Sequence, residues 1–135
     1  MARFVGDASW FCCYPDSCGC DACCCQGSNC SGGCSSSSQC GVGACCTCNS
    51  GNWGYAWKNN CTGCCNASLY GFLPCGATAW IGNPAGTVWN QAAHVDTGPS
   101  TCVMVDMTSS LFVQYAPLSQ GIVSNVIFCT DAPAC

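Results

Sequence analysis

Cysteine is the residue that most constrains this chain. Of its 135 residues twenty are cysteine, and sixteen of these lie between Cys12 and Cys65. Cysteine above roughly 8–10 % of a short chain indicates a disulfide scaffold made in an oxidising compartment. The even number is most simply explained by ten disulfides with no free thiol, although the sequence does not give their pairing. We therefore expect an extracellular protein with these disulfide cysteines: Cys12, Cys13, Cys18, Cys20, Cys23, Cys24, Cys25, Cys30, Cys34, Cys40, Cys45, Cys46, Cys48, Cys61, Cys64, Cys65, Cys75, Cys102, Cys129 and Cys135.

Metal binding is the alternative use of so many cysteines, and the run from Cys23 to Cys25 resembles a metallothionein. A cluster of thiolates carries negative charge that lysines usually offset, but this chain has a single lysine, Lys58, and a single arginine, Arg3. Five Trp, five Phe and four Tyr also indicate a packed core, which a metal cage does not need. We expect neither a metal nor any other cofactor.

Charge is scarce: six aspartates and two basic residues give a net charge of −4. Nucleic acids and anionic membranes need a basic surface, so neither is an expected partner. No run of eighteen apolar residues exists, so we expect no membrane insertion. The first ten residues lack the apolar core of a secretory signal, so we expect a leader that this chain does not include.

Three Asn-x-Ser/Thr motifs are also typical of secreted proteins. They place candidate N-glycosylation sites at Asn29, Asn60 and Asn66, in or beside the cysteine-rich part where loops are expected.

Alternation of apolar residues predicts mainly β structure. Residues 2–11 form one predicted strand, and residues 12–65 form a cysteine-, glycine- and serine-rich insertion that needs its disulfides for order. Short apolar segments follow from Trp53 onward (WGYAW, SLYGFL, ATAWIGN, TVWNQAAHV, CVMVDM, GIVSNVIF), and their spacing indicates a β-barrel or sandwich. Residues 108–116 predict a short helix with Thr108 as its N-cap, ending before Pro117. We expect a single domain over 1–135, with 66–135 completing the barrel.

Several motifs resemble those of the double-psi β-barrel superfamily, which includes expansins, barwin-like proteins, the rare lipoprotein A family and family 45 endoglucanases. They are LPCGA at 73–77, DTGPS at 96–100, VDMT at 105–108 and the segment that leads into Gly121-Ile122, and the resemblance is best over residues 69–129. The resemblance implies a six-stranded barrel and a possible polysaccharide groove. Residues 8–19 (ASWFCCYPDSCG) also look like the first strand of family 45 endoglucanases, but Phe11 occupies the position of their catalytic base.

Two aspartates are the candidate catalytic residues. The resemblance places the general acid of a glycosidase at Asp106, and Asp96, which ends a strand, could face the same groove as the base. Structural roles are open for both: Asp106 precedes a helix start, and Asp96 lies in a turn motif. An enzyme could be a hydrolase or a lytic transglycosylase.

Aromatic residues offer a candidate sugar-binding surface. Trp53, Tyr55 and Trp57 alternate with small residues and would share one face of a strand. His94 lies two residues before Asp96, so in a regular strand both would face the same side. The alternative is that His94 is a satisfied structural residue and that many of the aromatics are core.

Two classes of function remain. The first, which we favour, is a non-catalytic extracellular structural protein that associates with copies of itself into a coat, matrix or filament, because so few charges oppose association. The second is a carbohydrate-active protein, either a hydrolase or an expansin-like polysaccharide binder, that uses a groove at Asp96 and Asp106. Its partner would be a polysaccharide.

Overall fold

A computed structural model describes residues 2–11, 53–59, 61, 63–99 and 101–135. Most of the cysteine-rich segment lies outside these residues, and so do Asn29 and Asn60.

Six strands and one α-helix make up the described fold. The strands are β1 (Arg3–Phe11), β2 (Gly54–Trp57), β3 (Thr78–Gly82), β4 (Trp89–Thr97), β5 (Val105–Thr108) and β6 (Val123–Cys129). Helix α1 spans Ser109–Phe112, and single 3₁₀ turns span Ala67–Leu69 and Leu118–Gln120. The predicted mainly β, six-stranded barrel with one short helix and disulfides is confirmed.

The strands close into a barrel in the order β1-β5-β2-β4-β3-β6. Strand β1 runs parallel to β5, and β2 runs parallel to β4. The remaining neighbours, β1 with β6, β2 with β5, β3 with β4 and β3 with β6, are antiparallel. Since closure pairs each strand on both sides, the described sheet has no open edge.

The barrel interior is filled by aromatic and aliphatic side chains. The Trp57 ring stacks on Phe128 with centroids 4.3 Å apart, and Tyr55 meets Phe128 edge-on at 5.0 Å. Phe4 closes this group against Trp57 at 5.5 Å. Apart from the register shifts in β1 and β4, inward residues alternate with outward ones along the strands.

Two predicted boundaries are wrong. Strand β2 lies within residues 12–65, so the predicted insertion includes one strand of the barrel wall. Residues 68–73 do not form a strand: a 3₁₀ turn and an irregular segment replace it. Some of their apolar side chains are exposed and others pack against the barrel, and a short apolar run in the sequence does not show which are which.

Helix α1 begins where the sequence predicts, with Thr108 at its N-cap. The Thr108 hydroxyl makes no capping bond and instead accepts the Gly54 backbone N–H at 3.1 Å, which ties the helix start to β2. Hydrogen-bonded turns continue to Ala116, whose N–H donates to the Phe112 carbonyl at 3.2 Å. The α-helix itself ends at Phe112, four residues earlier than predicted, and the turns that follow it end before Pro117.

Disulfides join Cys61 to Cys64, Cys65 to Cys102, and Cys129 to Cys135. Cys75 is disulfide-bonded as well, so every cysteine of the described residues is oxidised. The bond from Cys65 to Cys102 joins residues 37 positions apart and ties the end of the cysteine-rich region to the approach of β5. No described helix is long and apolar enough to cross a bilayer.

Candidate functional site

Four residues form a row across the outer wall of the barrel. Ser9 of β1 is in register with Asp106 of β5, Asp106 with Ala56 of β2, and Ala56 with Asp96 of β4. On either side of Asp106 the chain sends Val105 and Met107 into the core, so the aspartate faces outward. The four strands thus bring Asp96 and Asp106, ten residues apart in sequence, to either side of Ala56.

The separation of the two aspartates follows from strand spacing. Neighbouring strands lie about 4.8 Å apart, and Asp96 and Asp106 are two strands apart, so their α-carbons are roughly 10 Å apart. Ala56 between them carries only a methyl group, and it is 4 % exposed.

The surroundings of Asp106 perturb its carboxyl group. Desolvation by burial raises its pKa from 3.8 to about 6, the hydrogen bond from Ser9 opposes this rise, and the charge of Asp96 adds to it. The Ser9 hydroxyl donates to Oδ1 of Asp106 at 2.9 Å.

Asp96 is positioned by an irregularity in β4. Tyr55 pairs with His94 and the next residue, Ala56, pairs with Asp96, so Val95 is one extra residue in β4. Such a bulge changes the side to which the following residue points. One carboxylate oxygen of Asp96 accepts the Thr97 N–H at 2.8 Å, and the residue has further interactions.

His94 lies inside the barrel and not on the outer row. It is 1 % exposed and stacks on Tyr55 with centroids 5.4 Å apart. Its Nδ1 lies 3.1 Å from the Pro74 carbonyl oxygen and its Nε2 lies 2.7 Å from the Asp96 carbonyl oxygen. The expectation that His94 and Asp96 face the same side is wrong, because the bulge at Val95 separates them. His94 thus ties the backbone of Pro74 and Asp96 together.

The predicted aromatic contact surface is also wrong in part. Tyr55 and Trp57 do share one face of β2, but it is the inner face, and both side chains are fully buried. Trp53, just before the strand, is 40 % exposed and is the member of the trio that solvent reaches.

Residues that the sequence interpretation did not single out also shape this surface. Ser9 belongs to the row through its hydrogen bond to Asp106. In the sequence, only its outward position in the alternation of β1 pointed to this place. Phe11 lies on the same side of β1 as Ser9, two residues further on. An aromatic side chain therefore lies near the acid end of the row.

Lys58 is buried directly after β2. Its ammonium donates to the carbonyl oxygens of Cys65 and Thr101, and burial lowers its pKa. The ammonium also lies 5.9 Å from the centre of the Tyr70 ring. These contacts join the Cys65 segment to the approach of β5 beside the disulfide, so this lysine has a structural role.

Among the predicted glycosylation sites, Asn66 is the one within the described residues, and it is exposed. The described residues contain no group of three His, Cys, Asp or Glu side chains placed to hold a metal ion.

Comparison with known proteins identifies a fold but no family. No family model matches the chain, and no curated protein matches it. Among solved structures it is similar to a papain inhibitor from Streptomyces, with a TM-score of 0.53, 15 % sequence identity, and coverage of 95 % of this chain and 93 % of the other. At that identity the likeness carries the fold alone. The molecule is a small disulfide-bonded protein with a six-stranded closed barrel, while membership of the expansin-like superfamily stays a prediction.

Proposed function

We propose that this protein acts outside the cell on a polysaccharide, with Asp106 as general acid and Asp96 as general base. One observation carries the proposal: two carboxyl groups flank Ala56 on one row of the barrel wall, and the pKa of one of them is raised to about 6. Acid–base hydrolysis requires two carboxyl groups, one of which is protonated and acts as the acid.

The spacing favours hydrolysis with inversion. Inverting glycosidases hold their carboxyl groups about 6.5–9.5 Å apart, with room for a water molecule, whereas retaining enzymes hold them about 5–5.5 Å apart. Two strand spacings place the α-carbons of the two aspartates roughly 10 Å apart, which is closer to the first geometry than to the second.

The roles follow from the surroundings. Protonated Asp106 would give its proton to the glycosidic oxygen as the bond to the anomeric carbon breaks. Asp96 would take a proton from a water molecule that attacks that carbon from the opposite side. Ser9 holds Oδ1 of Asp106, which leaves Oδ2 for the substrate. Phe11 replaces the base of family 45 endoglucanases, and in this proposal Asp96 takes over that role from another strand.

The test uses the purified chain and a panel of β-glucans. We expect wild type to release reducing ends, and we expect Asp106→Asn and Asp96→Asn each to lower the rate by about 10²- to 10⁴-fold, the usual contribution of a positioned acid or base. Asp7→Asn, at an exposed position of β1, is the matched control and should keep full activity. Because the acid must be protonated, the wild-type rate should fall as pH rises through about 6.

Stereochemistry supplies an independent measurement. Proton NMR of the first product should show the inverted anomer. Release of the retained anomer, or wild-type activity in Asp106→Asn, would contradict the assignment of roles. If the protein binds the β-glucan without cleaving it, and both Asp106→Asn and Asp96→Asn still bind, the two aspartates do not form the site.

A second candidate function is an extracellular structural protein that self-associates into a coat, matrix or filament. The observation that favours it is the exposure of Leu69 and Phe72, at 65 % and 63 %, on a chain with eight formal charges. Apolar surface with little charge around it promotes association. Light scattering on a native sample tests it: assemblies that dissolve on substitution of both residues by serine support it, and a monomer at all concentrations opposes it.

A further inference from the structure

The segment between the Cys65 disulfide and β3 is held firmly against the barrel. The Tyr70 ring packs on Trp57 and Phe4, with centroid distances of 5.4 and 5.7 Å. The Asn59 side chain bonds both backbone groups of Leu73, donating to its carbonyl and accepting its N–H at 2.8 Å each. Two inward residues thus fix the course of this segment.

The residues between these anchors face the other way. Leu69 and Phe72 are the two most exposed large apolar side chains of the described residues. We call them the Leu69/Phe72 surface. Tyr70 is packed against the barrel and the backbone of Leu73 is bonded to Asn59. A small rotation of this segment therefore cannot bury Leu69 and Phe72. Something outside the described barrel must therefore cover it, or it stays in contact with water.

A glycosylation acceptor lies one turn before this surface. Asn66-Ala67-Ser68 has the required spacing, and both Asn66 and Ser68 are exposed. The Leu69 N–H donates to the Asn66 carbonyl at 3.0 Å, which closes a 3₁₀ turn. Asn66 is the left-handed residue that precedes the turn, and this bond keeps its backbone within one turn of Leu69. A glycan on the exposed Asn66 side chain is therefore within reach of Leu69.

We propose that Asn66 carries an N-linked glycan and that this glycan covers the Leu69/Phe72 surface. In the reaction, Nδ2 of Asn66 attacks the anomeric carbon of an oligosaccharide linked to a lipid diphosphate. The bond from that carbon to the diphosphate oxygen breaks, the lipid diphosphate leaves, and the amide nitrogen loses one proton. The first sugar residues then lie over Leu69, and their apolar ring faces replace water there. The proposal does not depend on the site at Asp96 and Asp106.

Peptide mass mapping tests the modification. The full chain, secreted from a eukaryotic host, should give a peptide containing Asn66 with the added mass of a glycan. Release by an amidase should leave aspartate at that position. Ser68→Ala should lose this one glycan and no other. An unmodified peptide containing Asn66 in the secreted wild-type protein would overturn the proposal.

Asn125→Gln is the matched control for Asn66→Gln. Both asparagines are exposed and have left-handed backbone conformations, with φ of 60° at Asn125 and 59° at Asn66. Asn125 is followed by Val126 and Ile127 and is not an acceptor. Both variants should therefore share any backbone cost, while only Asn66→Gln loses glycan mass.

Light scattering tests the covering. Ser68→Ala, which keeps Asn66 and adds no charge, should shift to larger assemblies than wild type at equal concentration and should bind more of an apolar dye. Adding Leu69→Ser and Phe72→Ser to Ser68→Ala should restore the wild-type size. If Ser68→Ala matches wild type in size and dye binding, the glycan does not cover this surface and that part of the proposal fails.

Discussion

The inner and outer faces of the same four strands differ in what they hold. Inside, β1, β2 and β5 contribute apolar side chains that pack without a titrating carboxyl group: Phe4, Tyr55, Trp57, Val105 and Met107. Outside, the residues between them form the row from Ser9 to Asp96. One face therefore supplies packing energy, and the other positions two carboxylates at spacings that the strand register sets. Substitutions on the inner face should lower the stability at every pH, whereas substitutions in the outer row should change the chemistry and the pH dependence of the stability.

The largest effect should come from the inner face. Trp57→Ala removes a fully buried ring that touches Phe128, Phe4 and Tyr70, so the free energy of unfolding should fall by about 3–5 kcal/mol. Denaturant unfolding under oxidising conditions measures it. Trp53→Ala is the control, because this ring is 40 % exposed and buries less apolar surface, so its loss should cost less than that of Trp57. Equal costs for the two substitutions would break the division between faces.

On the outer face, a substitution should raise the stability of the protein instead of lowering it. Folding raises the pKa of Asp106 from 3.8 to about 6, so between these pH values the folded state keeps a proton that the unfolded chain releases. Stability should therefore fall as pH rises through this window, by up to about 3 kcal/mol. Asp106→Asn should remove this part of the pH dependence and stabilise the protein at pH 7. Unfolding curves at pH 4 and pH 7 for both proteins measure it, and a wild-type curve that gains stability across this window would contradict the pKa shift.

The same division explains which parts of the molecule could be predicted from its sequence. Alternation over β1 and over β3 to β6 predicted strands, because one buried face imposes a period of two. For β2 the alternation of Tyr55 and Trp57 was correctly interpreted as a shared face, but periodicity does not say whether that face points in or out. Burial decides this, and burial depends on distant strands.

Two further failures have local causes. The bulge at Val95 turns Asp96 away from His94, and a bulge leaves no mark in a pattern of apolar and polar residues. Residues 68–73 look like a strand because Leu69, Tyr70, Phe72 and Leu73 are all apolar, yet two are exposed and two are anchored inward. The aspartate pair was predicted, whereas Ser9 was not, since its role depends on the parallel pairing of strands that are almost a hundred residues apart.

The next largest effect on stability should come from the close packing of Gly6 against Met104 inside the barrel. A β-carbon added at Gly6 would lie 2.7 Å from Cβ of Met104, a buried atom next to the backbone that cannot rotate away. Gly6→Ala should cost about 1–2 kcal/mol through this overpacking. Adding Met104→Gly should recover much of that loss relative to Met104→Gly alone. Additive costs in this double-mutant cycle would show that the two positions do not touch.

The smallest effect should come from the hydroxyl at the end of the row. Ser9→Ala removes the donor that stabilises ionised Asp106 but leaves the burial and the charge of Asp96 in place, so the pKa of Asp106 should rise above about 6. A bond to a charged acceptor is worth enough to move it by about one pH unit. Carboxyl-carbon NMR titration measures it, with Ser124→Ala on an exposed part of β6 as the control. In the proposed mechanism the fall in rate at high pH should move upward by the same amount, because the acid stays protonated longer. If Ser9→Ala changes the rate but not the pKa of Asp106, the hydrogen bond does not tune the acid. Ser9 would then act by contacting the substrate.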